Sequence, residues 1–274
     1  MIRFDPVQVQ AARQGSRAAL EALVNAAKGP VLNLAIRMLA HREDAEDATQ
    51  EILIKIITHL GEVRDTDLAG AWAFRVATRH LSHTARLGRV ERMRLSFEDF
   101  ADDLSRGQRA PSHLELTEIE HQLALKEVKV GCTLAMLVCL SRPLRMAYIL
   151  GDIFEMTDTE ASEILEIPAG TYRQRVRRAR LTVSGFLQSN CSLQSRSAPC
   201  RCENRITPAL QMGRIAKGAA HLDGDQVGQK SPLEIGQDVA TLEAAQRSVA
   251  IMRSNPQFAS TVPSLVHQVL AQMS

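Results

Sequence analysis

The sequence predicts an all-α protein, and three observations support this fold class. Apolar residues recur at helical spacing in several long segments. We find no run of alternating β-branched residues that is long enough to indicate a sheet. Aromatic residues make up only 4% of the chain, while hydrophobic residues make up 45%, so the core must come from packed aliphatic helices. A length of 274 residues leaves room for two small domains and an appendage.

Charge is distributed unevenly along the chain. The 33 Lys and Arg residues nearly balance the 31 Asp and Glu residues, so the net charge of +2 does not by itself indicate a nucleic-acid-binding protein. Acidic residues cluster near residue 45 and basic residues near residue 175, which predicts two surfaces of opposite charge. The most apolar run, residues 133–140, is too short to cross a bilayer, and the N-terminus is polar. We therefore expect a cytoplasmic protein that makes no membrane contact.

The first folded unit is predicted over residues 10–87. Its expected helices cover residues 16–27, 29–40, 43–60 and 68–87. In the third helix the apolar residues share one side, and Asp44, Asp47 and Glu51 share the other. Considered by charge alone, this acidic face is typical of a solubilising surface. The fourth helix places Trp72 inward and offers basic side chains suited to a nucleic-acid backbone: Arg75, Arg79, His80, His83 and Arg86.

Residues 88–118 are predicted to form a flexible linker. They lack sustained apolar periodicity and contain Gly88, an acidic cluster from Glu98 to Asp103, and Pro111. A second unit is predicted over residues 119–189, and its first helices are expected to support the residues that follow. The expected core residues of these helices are Leu134, Met136, Leu137, Leu140, Leu144 and Ile149.

A helix-turn-helix is predicted in residues 157–180. A short helix, capped by Thr157 or Asp158, precedes a tight break from Pro168 to Gly170 and a second helix with five arginines and no acidic residue. The apolar stripe of the second helix consists of Tyr172, Val176, Ala179 and Val183. The opposite arc carries Arg173, Gln174, Arg177 and Arg178.

This arginine-rich arc has two interpretations. An arginine run considered alone is more often a solvated surface. Here, however, no acidic residue occurs from Ile167 to Cys202 to neutralise the arc. A basic second helix can enter a DNA major groove, where arginine binds guanine edges and glutamine pairs with adenine. We therefore interpret the arc as a DNA-reading face.

Two segments of the chain carry a family resemblance. The first combines the helix with Asp44, Asp47, Gln50 and Glu51 and the later stretch Ala71-Trp72-Ala-Phe74-Arg75-Val-Ala77; the second runs from Ile167 to Arg180. They resemble regions 2 and 4 of the extracytoplasmic-function sigma factors, whose region 4 pattern Ile-Pro-x-Gly-Thr-x-(Lys/Arg)-x-Arg-x-x-Arg-Ala-Arg is nearly complete here. Both segments occur in the family's order, and together they cover residues 10–188.

The resemblance implies a promoter-specificity subunit of bacterial RNA polymerase and not an enzyme. The implied partners are core polymerase, through its β′ clamp helices and β flap, promoter DNA, and an anti-sigma factor. Residues assigned to the clamp helices are Asp44, Asp47, Gln50 and Glu51. Residues assigned to the −10 element, in the loop Gly61 to Gly70 and the helix that follows, are Arg64, Trp72, Arg75, Arg79 and His80. Residues assigned to the −35 element are Arg173, Gln174, Arg177, Arg178 and Arg180. Many relatives have Asn where this chain has Arg79, which leaves base choice at the −10 element open.

Five cysteines invite a metal hypothesis. Cys191, Cys200 and Cys202 follow the helix-turn-helix closely, and Cys132 or Cys139 would complete a four-sulfur zinc site. The spacing is not a standard one, and Cys132 and Cys139 share a helix face in an apolar run, where small buried thiols are common. A zinc site, a thiol redox switch and plain reduced cysteines remain as alternatives, of which reduced cysteines without a cofactor fit the pattern best.

Residues 190–274 form an extension beyond the two units. Helices are expected over residues 232–253 and 262–273, after a polar, glycine-containing stretch. The extension either folds back to regulate binding or remains a weakly structured appendage. The alternative function for the whole chain is a stand-alone helix-turn-helix regulator, which would leave the acidic helix unexplained. An enzyme has little support, because the sequence contains no phosphate loop, nucleophile elbow or metal-hydrolase histidine pair.

Overall fold

The computed structural model describes residues 2–83, 88–93, 95–106, 116–217 and 244–259. These ranges confirm the all-α prediction, since the only pairing of extended backbone within them is an isolated bridge between Cys191 and Cys200. The helices are α1 (Pro6–Arg13), α2 (Arg17–Leu39), α3 (Arg42–Thr58), α4 (Ala69–His83), α5 (Phe97–Arg106), α6 (Glu118–Cys139), α7 (Arg142–Tyr148), α8 (Asp158–Leu165), α9 (Ala169–Asn190), α10 (Ile206–Gln211) and α11 (Ala244–Arg253). Among these described helices, none is long and apolar enough to cross a membrane.

Helices α1 to α4 form the first unit, and they differ from the prediction in two respects. Helix α1 was not predicted; Asp5 caps it by accepting a hydrogen bond from the Val7 amide at 3.0 Å. The two helices expected on either side of Lys28 are one continuous helix, α2, with Pro30 inside it. Buried residues on both sides of Pro30 tie the two halves to the same core, so packing overrides the proline's tendency to end a helix. The predicted residues 84–87 of the fourth helix lie outside the described part.

The N-terminal segment packs closely against the start of α4. A Cβ atom added to Gly70 would lie 2.4 Å from the carbonyl oxygen of Ile2, a contact that real Cβ atoms do not make. Ile2 is itself buried in the hydrophobic core. Gly70 therefore permits the chain before α1 to lie against the helix that carries Trp72.

The first half of the predicted linker contains helical structure that the sequence did not indicate. A 3₁₀ turn occupies Glu91–Met93, and α5 follows it. Phe97 and Phe100 pack on Phe186 of α9, with ring centroids 5.1 and 5.3 Å apart. With Leu104 also buried, apolar residues recur at intervals of three and four, a helical signal too short to stand out among the acidic residues. Residues 107–115 of the predicted linker lie outside the described part.

Helices α6 to α9 form the second unit. Thr157, not Asp158, caps α8 and forms a capping box with Glu160. Helix α9 begins at Ala169, so Gly170 lies inside it and the break is centred on Glu166, whose φ of 54° is left-handed. A π-turn at Ile149–Ile153 follows α7 directly. The predicted core residues of the supporting helices are buried, except that Leu144 is half-buried.

The two units share one hydrophobic core. It runs through α2, α3 and α4 of the first unit, α6 to α9 of the second, and α11. Helix α4 lies directly against α8, and α2 lies against α6 and α7. In this structure the two units are therefore packed against each other.

The extension adds two contacts to this body. Ile206, Ala209 and Ile215 pack against Ala124 and Leu125 in a separate small cluster beside α6. Helix α11 and the residues after it pack against α9, the π-turn and α2. The predicted residues 232–243 and the helix expected at 262–273 lie outside the described part.

Candidate nucleic-acid interface

Helix α9 presents the predicted basic arc to solvent. The predicted apolar stripe is confirmed, because Tyr172, Val176, Ala179 and Val183 are all buried. Burial of the stripe fixes the rotation of α9, which leaves Arg173, Gln174, Arg177 and Arg178 exposed. Arg173 of this arc lies 3.9 Å from Asp158, a weak ion pair between two exposed groups. The exposed arc has the charge and the donors needed to bind DNA phosphates and base edges.

Arg180 is placed differently from the other predicted DNA-contacting arginines. Its Nε lies 2.9 Å and its terminal nitrogen 2.6 Å from carboxylate oxygens of Asp152, which the π-turn holds at 2% exposure. These hydrogen bonds raise the pKa of Arg180 above its ordinary value. Arg180 thus ties α9 to the π-turn, although half of its side chain remains exposed.

Two −10 candidates of α4, the half-buried Arg75 and the exposed Arg79, face the helix-turn-helix. Trp72, Arg75 and Arg79 are spaced three and four residues apart and lie on one side of the helix. Nε of Arg79 donates to Glu166 Oε2 at 2.8 Å, and Arg75 lies 3.9 Å from the same carboxylate. Arg64 is exposed, in the loop between α3 and α4. The acid at the helix-turn-helix break therefore occupies the basic side of α4.

His80 does not lie with the other −10 candidates. Its Nδ1 is 2.7 Å from Lys55 Nζ and its Nε2 is 3.6 Å from Glu51, so it belongs to the acidic side of α3. Burial lowers the pKa of His80, and nearby Lys55 lowers it further, while Glu51 acts in the opposite direction.

The four acidic-helix candidates are close together but not equivalent. Asp47 and Glu51 are exposed, and Gln50 is half-buried. Asp44 accepts a hydrogen bond from the Arg89 amide at 2.5 Å, and its side chain is 17% exposed. The residues Leu39, Asp44, Asp47, Ala48, Glu51, His80, Leu81, Gly88, Arg92 and Arg142 line a cleft of about 70 Å³. Asp44 therefore fixes the chain after α4, while Asp47 and Glu51 present their charge to solvent.

The structure brings Cys132 near Cys191, Cys200 and Cys202, since charge on those three thiols contributes to the raised pKa of Cys132. Cys191 and Cys200 form the isolated bridge, with the Cys200 amide donating to Asn190 at 3.0 Å and the Ser192 amide to Cys200 at 3.2 Å. Nevertheless, across the described ranges no three His, Cys, Asp or Glu side chains are grouped so that they could hold a metal ion. Burial raises the pKa of each cysteine thiol, to about 11 for Cys200 and about 12 for Cys202. Protonated, buried thiols react slowly with oxidants.

A buried ionic cluster was missed at the sequence level. Glu91 binds Arg142 across 2.7 Å and Arg145 across 2.8 Å, and all three side chains are largely buried. Arg145 also donates to the carbonyls of Leu137, Val138 and Leu140, which end α6, and to that of Met38 in α2. The cluster joins the segment after α4 to both units. Glu91 lies in the predicted linker, and nothing in the sequence around it indicated that it would be buried.

Comparison with known proteins gives two family matches. Residues 23–89 match Sigma-70 region 2, and residues 131–183 match Sigma-70 region 4. The first match contains the acidic helix α3 and all of α4, and the second contains the helix-turn-helix. Residues after 183, including the whole extension, lie outside both matched regions.

Several curated relatives are similar over most of their length. The RNA polymerase sigma-H factor of Pseudomonas aeruginosa is 26% identical over 186 residues, which cover 67% of this chain and 94% of the relative. The ECF RNA polymerase sigma factor SigW of Bacillus subtilis is 24% identical over 178 residues, which cover 63% of this chain and 91% of the relative. The ECF RNA polymerase sigma factor SigE of Mycolicibacterium smegmatis is 28% identical over 170 residues, covering 61% of each chain.

Proposed function

Because this chain belongs to the sigma-70 family, among the extracytoplasmic-function sigma factors, we propose that its acidic and basic surfaces divide the binding of polymerase and promoter between them. A sigma factor is a transcription initiation factor that binds core RNA polymerase and promoter DNA, and it is not an enzyme. The alternative of a stand-alone helix-turn-helix regulator is wrong, because the chain carries region 2 as well as region 4. We expect the protein in the cytoplasm, where both partners occur.

The acidic surface is proposed to bind the β′ clamp helices of core polymerase. The observation that carries this assignment is that Asp47 and Glu51 are exposed side by side on α3, one helical turn apart. Asp44 is engaged with Arg89, so we assign it a positioning role at the edge of this surface. Gln50 is half-buried beside them and supplies an amide for hydrogen bonds.

The α4 side is proposed to bind the −10 element. Trp72, Arg75 and Arg79 combine an aromatic ring with two cations on one side of the helix, a combination suited to an unstacked base and its phosphates. Arg64 extends this surface into the preceding loop. His80 contacts Lys55 and lies near Glu51, so we expect it to affect polymerase binding more than promoter choice.

The exposed arc of α9 is proposed to read the −35 element. Arg173, Gln174, Arg177 and Arg178 are the groups available to base edges and phosphates. Arg180 is assigned to positioning, because its guanidinium is held by Asp152. A contact between this unit and the polymerase β flap, and a separate anti-sigma factor, remain predictions.

Charge reversal on the acidic surface tests the proposal. Asp47→Arg should abolish binding to bacterial core polymerase in a pull-down, because it places a cation at a surface proposed to bind the clamp helices through its negative charge. Glu62→Arg is the matched control: it makes the same charge change at an exposed site of the first unit away from α3. Equal binding by both variants, or equal loss by both, would contradict the assignment of this surface.

A further inference from the structure

We propose that residues 244–259 of the extension, named here the clamp segment, hold regions 2 and 4 in a closed arrangement that must open before the promoter is bound. This inference rests on the proposed function, since it concerns access to the −10 and −35 surfaces. The clamp segment consists of α11 and the six residues that follow it. It lies outside both matched family regions.

One end of the clamp segment binds region 2. The Phe258 amide donates to Asn33 Oδ1 at 2.9 Å, and the Asn33 amide group donates back to the Phe258 carbonyl at 3.3 Å. The Phe258 ring is buried, with the Arg37 guanidinium 5.1 Å from its centroid. Arg42 donates to the Ala259 carbonyl at 2.7 Å. These contacts fix the segment to α2 and to the start of α3.

The preceding residues of the same segment bind region 4. Arg253 donates to the Asp152 carbonyl in the π-turn and binds Glu155 at 2.6 Å. The Thr133 hydroxyl donates to Asn255 Oδ1 at 2.7 Å, and both groups are buried. Ile251 and Met252 are buried in the shared core. Because Asn255 and Phe258 are only three residues apart, a single short stretch connects the two regions.

The surfaces beneath the clamp segment are more polar than a permanent core. Asn33, Arg37, Lys129 and Thr133 all lie under it and are nearly inaccessible to solvent. Burying such groups costs free energy unless each finds a partner, and the clamp segment supplies partners to all four. When the segment leaves, water can solvate the same groups. A polar contact of this kind is typical of interfaces that form and separate.

The closed arrangement is incompatible with a bound promoter. The −10 and −35 elements are about 25 base pairs apart by their names, which is about 85 Å of duplex at 3.4 Å per base pair. Here Arg79 of the −10 surface donates to Glu166 at the break of the helix-turn-helix that reads the −35 element. The two surfaces cannot reach both elements until α4 and α8 separate. Releasing the clamp segment should favour that separation.

Full-chain variants test this proposal. Phe258→Ala removes the buried ring that helps to anchor the segment to region 2, and Arg253→Ala, at an exposed side chain, removes a region 4 anchor with little risk to folding. Gln257→Ala is the matched control, because Gln257 lies exposed beside the buried Phe258. Donor and acceptor dyes on noncanonical residues at Glu62 and Thr182, both exposed, report the separation of the regions by energy transfer. Circular dichroism verifies that helix content is unchanged.

Both release variants should lower energy transfer and raise the affinity for promoter DNA, measured with bacterial core polymerase present, about tenfold, the factor expected when a binding-competent state rises from about 10% to full population. Gln257→Ala should match the unaltered chain in both measurements. Unchanged energy transfer in Arg253→Ala and in folded Phe258→Ala would overturn the proposal. Lowered energy transfer in the two release variants, with no binding of any form to core polymerase, would support the role of the clamp segment and overturn the proposed function instead.

Discussion

The arginines of α9 and those that follow α6 use the same guanidinium group for opposite purposes. Arg173, Arg177 and Arg178 point into solvent and keep their hydration, so they can exchange water for DNA phosphates at little cost. Arg145 is 3% exposed and donates to carbonyls in two helices and to Glu91. Removing it from water is expensive, and its many acceptors offset that cost. Burial and partners, not residue type, distinguish a binding arginine from a structural one.

The largest expected effect comes from breaking the buried ionic cluster of Glu91, Arg142 and Arg145. Arg145→Ala should lower the free energy of unfolding by about 3–5 kcal/mol, because it leaves Glu91 buried with one partner and uncaps the end of α6. Urea denaturation followed by circular dichroism measures this loss. A change below about 1 kcal/mol would mean that the cluster adds little to stability.

The exposed arginines of α9 should affect DNA binding and leave stability almost unchanged. Arg177→Ala should weaken binding to a selected promoter by about 1–3 kcal/mol if the side chain contacts a base edge, while the free energy of unfolding changes by less than about 0.5 kcal/mol. Arg196→Ala is the matched control, because Arg196 is exposed but lies beyond α9. Fluorescence anisotropy of the holoenzyme on promoter DNA measures the difference. Equal weakening by both variants would indicate a general charge effect and no specific contact.

The sequence was sufficient for features that depend on local periodicity. The stripe through Tyr172 and Val176 determined how α9 rotates, and the exposed arc followed from it. Helix α5 was missed because Phe97, Phe100 and Leu104 provide only two helical intervals. Packing of α4 on α8 and the contacts of the clamp segment join residues more than fifty positions apart, as in the pair Arg79 and Glu166. No local pattern encodes such contacts.

The burial of Arg145 and Glu91 was beyond sequence reasoning for a related reason. Charged residues are almost never fully buried unless they are paired, and the partners here come from three separate segments. Asp152 is a similar case, since only the π-turn brings it under Arg180. In contrast, the exposure of Asp47 and Glu51 was predicted correctly, because their positions follow from the apolar side of the same helix.

Acid should weaken the buried ionic cluster of Glu91, Arg142 and Arg145. Burial raises the pKa of Glu91, but hydrogen bonds and charge from Arg142 and Arg145 outweigh it, so the pKa lies below the ordinary 4.5. A carboxyl group with a lowered pKa stabilises the fold above pH 4.5, and that contribution is lost as the pH falls through the folded-state pKa.

Glu91→Gln should therefore reduce the decline in unfolding free energy between pH 5 and about pH 3. This change should be smaller than the loss of unfolding free energy in Arg145→Ala, because both arginines keep an amide oxygen as acceptor. Glu98→Gln, at an exposed site in α5, is the control. Urea titrations at a series of pH values give the comparison. Identical pH profiles for Glu91→Gln and the unaltered chain would show that the cluster does not contribute to acid sensitivity.

The smallest effect is expected from an ion pair that is fully in water. Arg106 and Asp102 lie one turn apart on α5, with their charged atoms 3.1 Å from each other and side chains 79% and 68% exposed. Water and salt already screen these charges, so Arg106→Ala should change the free energy of unfolding by only about 0–1 kcal/mol, and added salt should reduce even that difference. Urea denaturation at low and high salt measures it. Because the atoms of this pair are about as close as those of Arg142 and Glu91, a loss of several kcal/mol here would mean that distance, and not burial, decides what an arginine contributes.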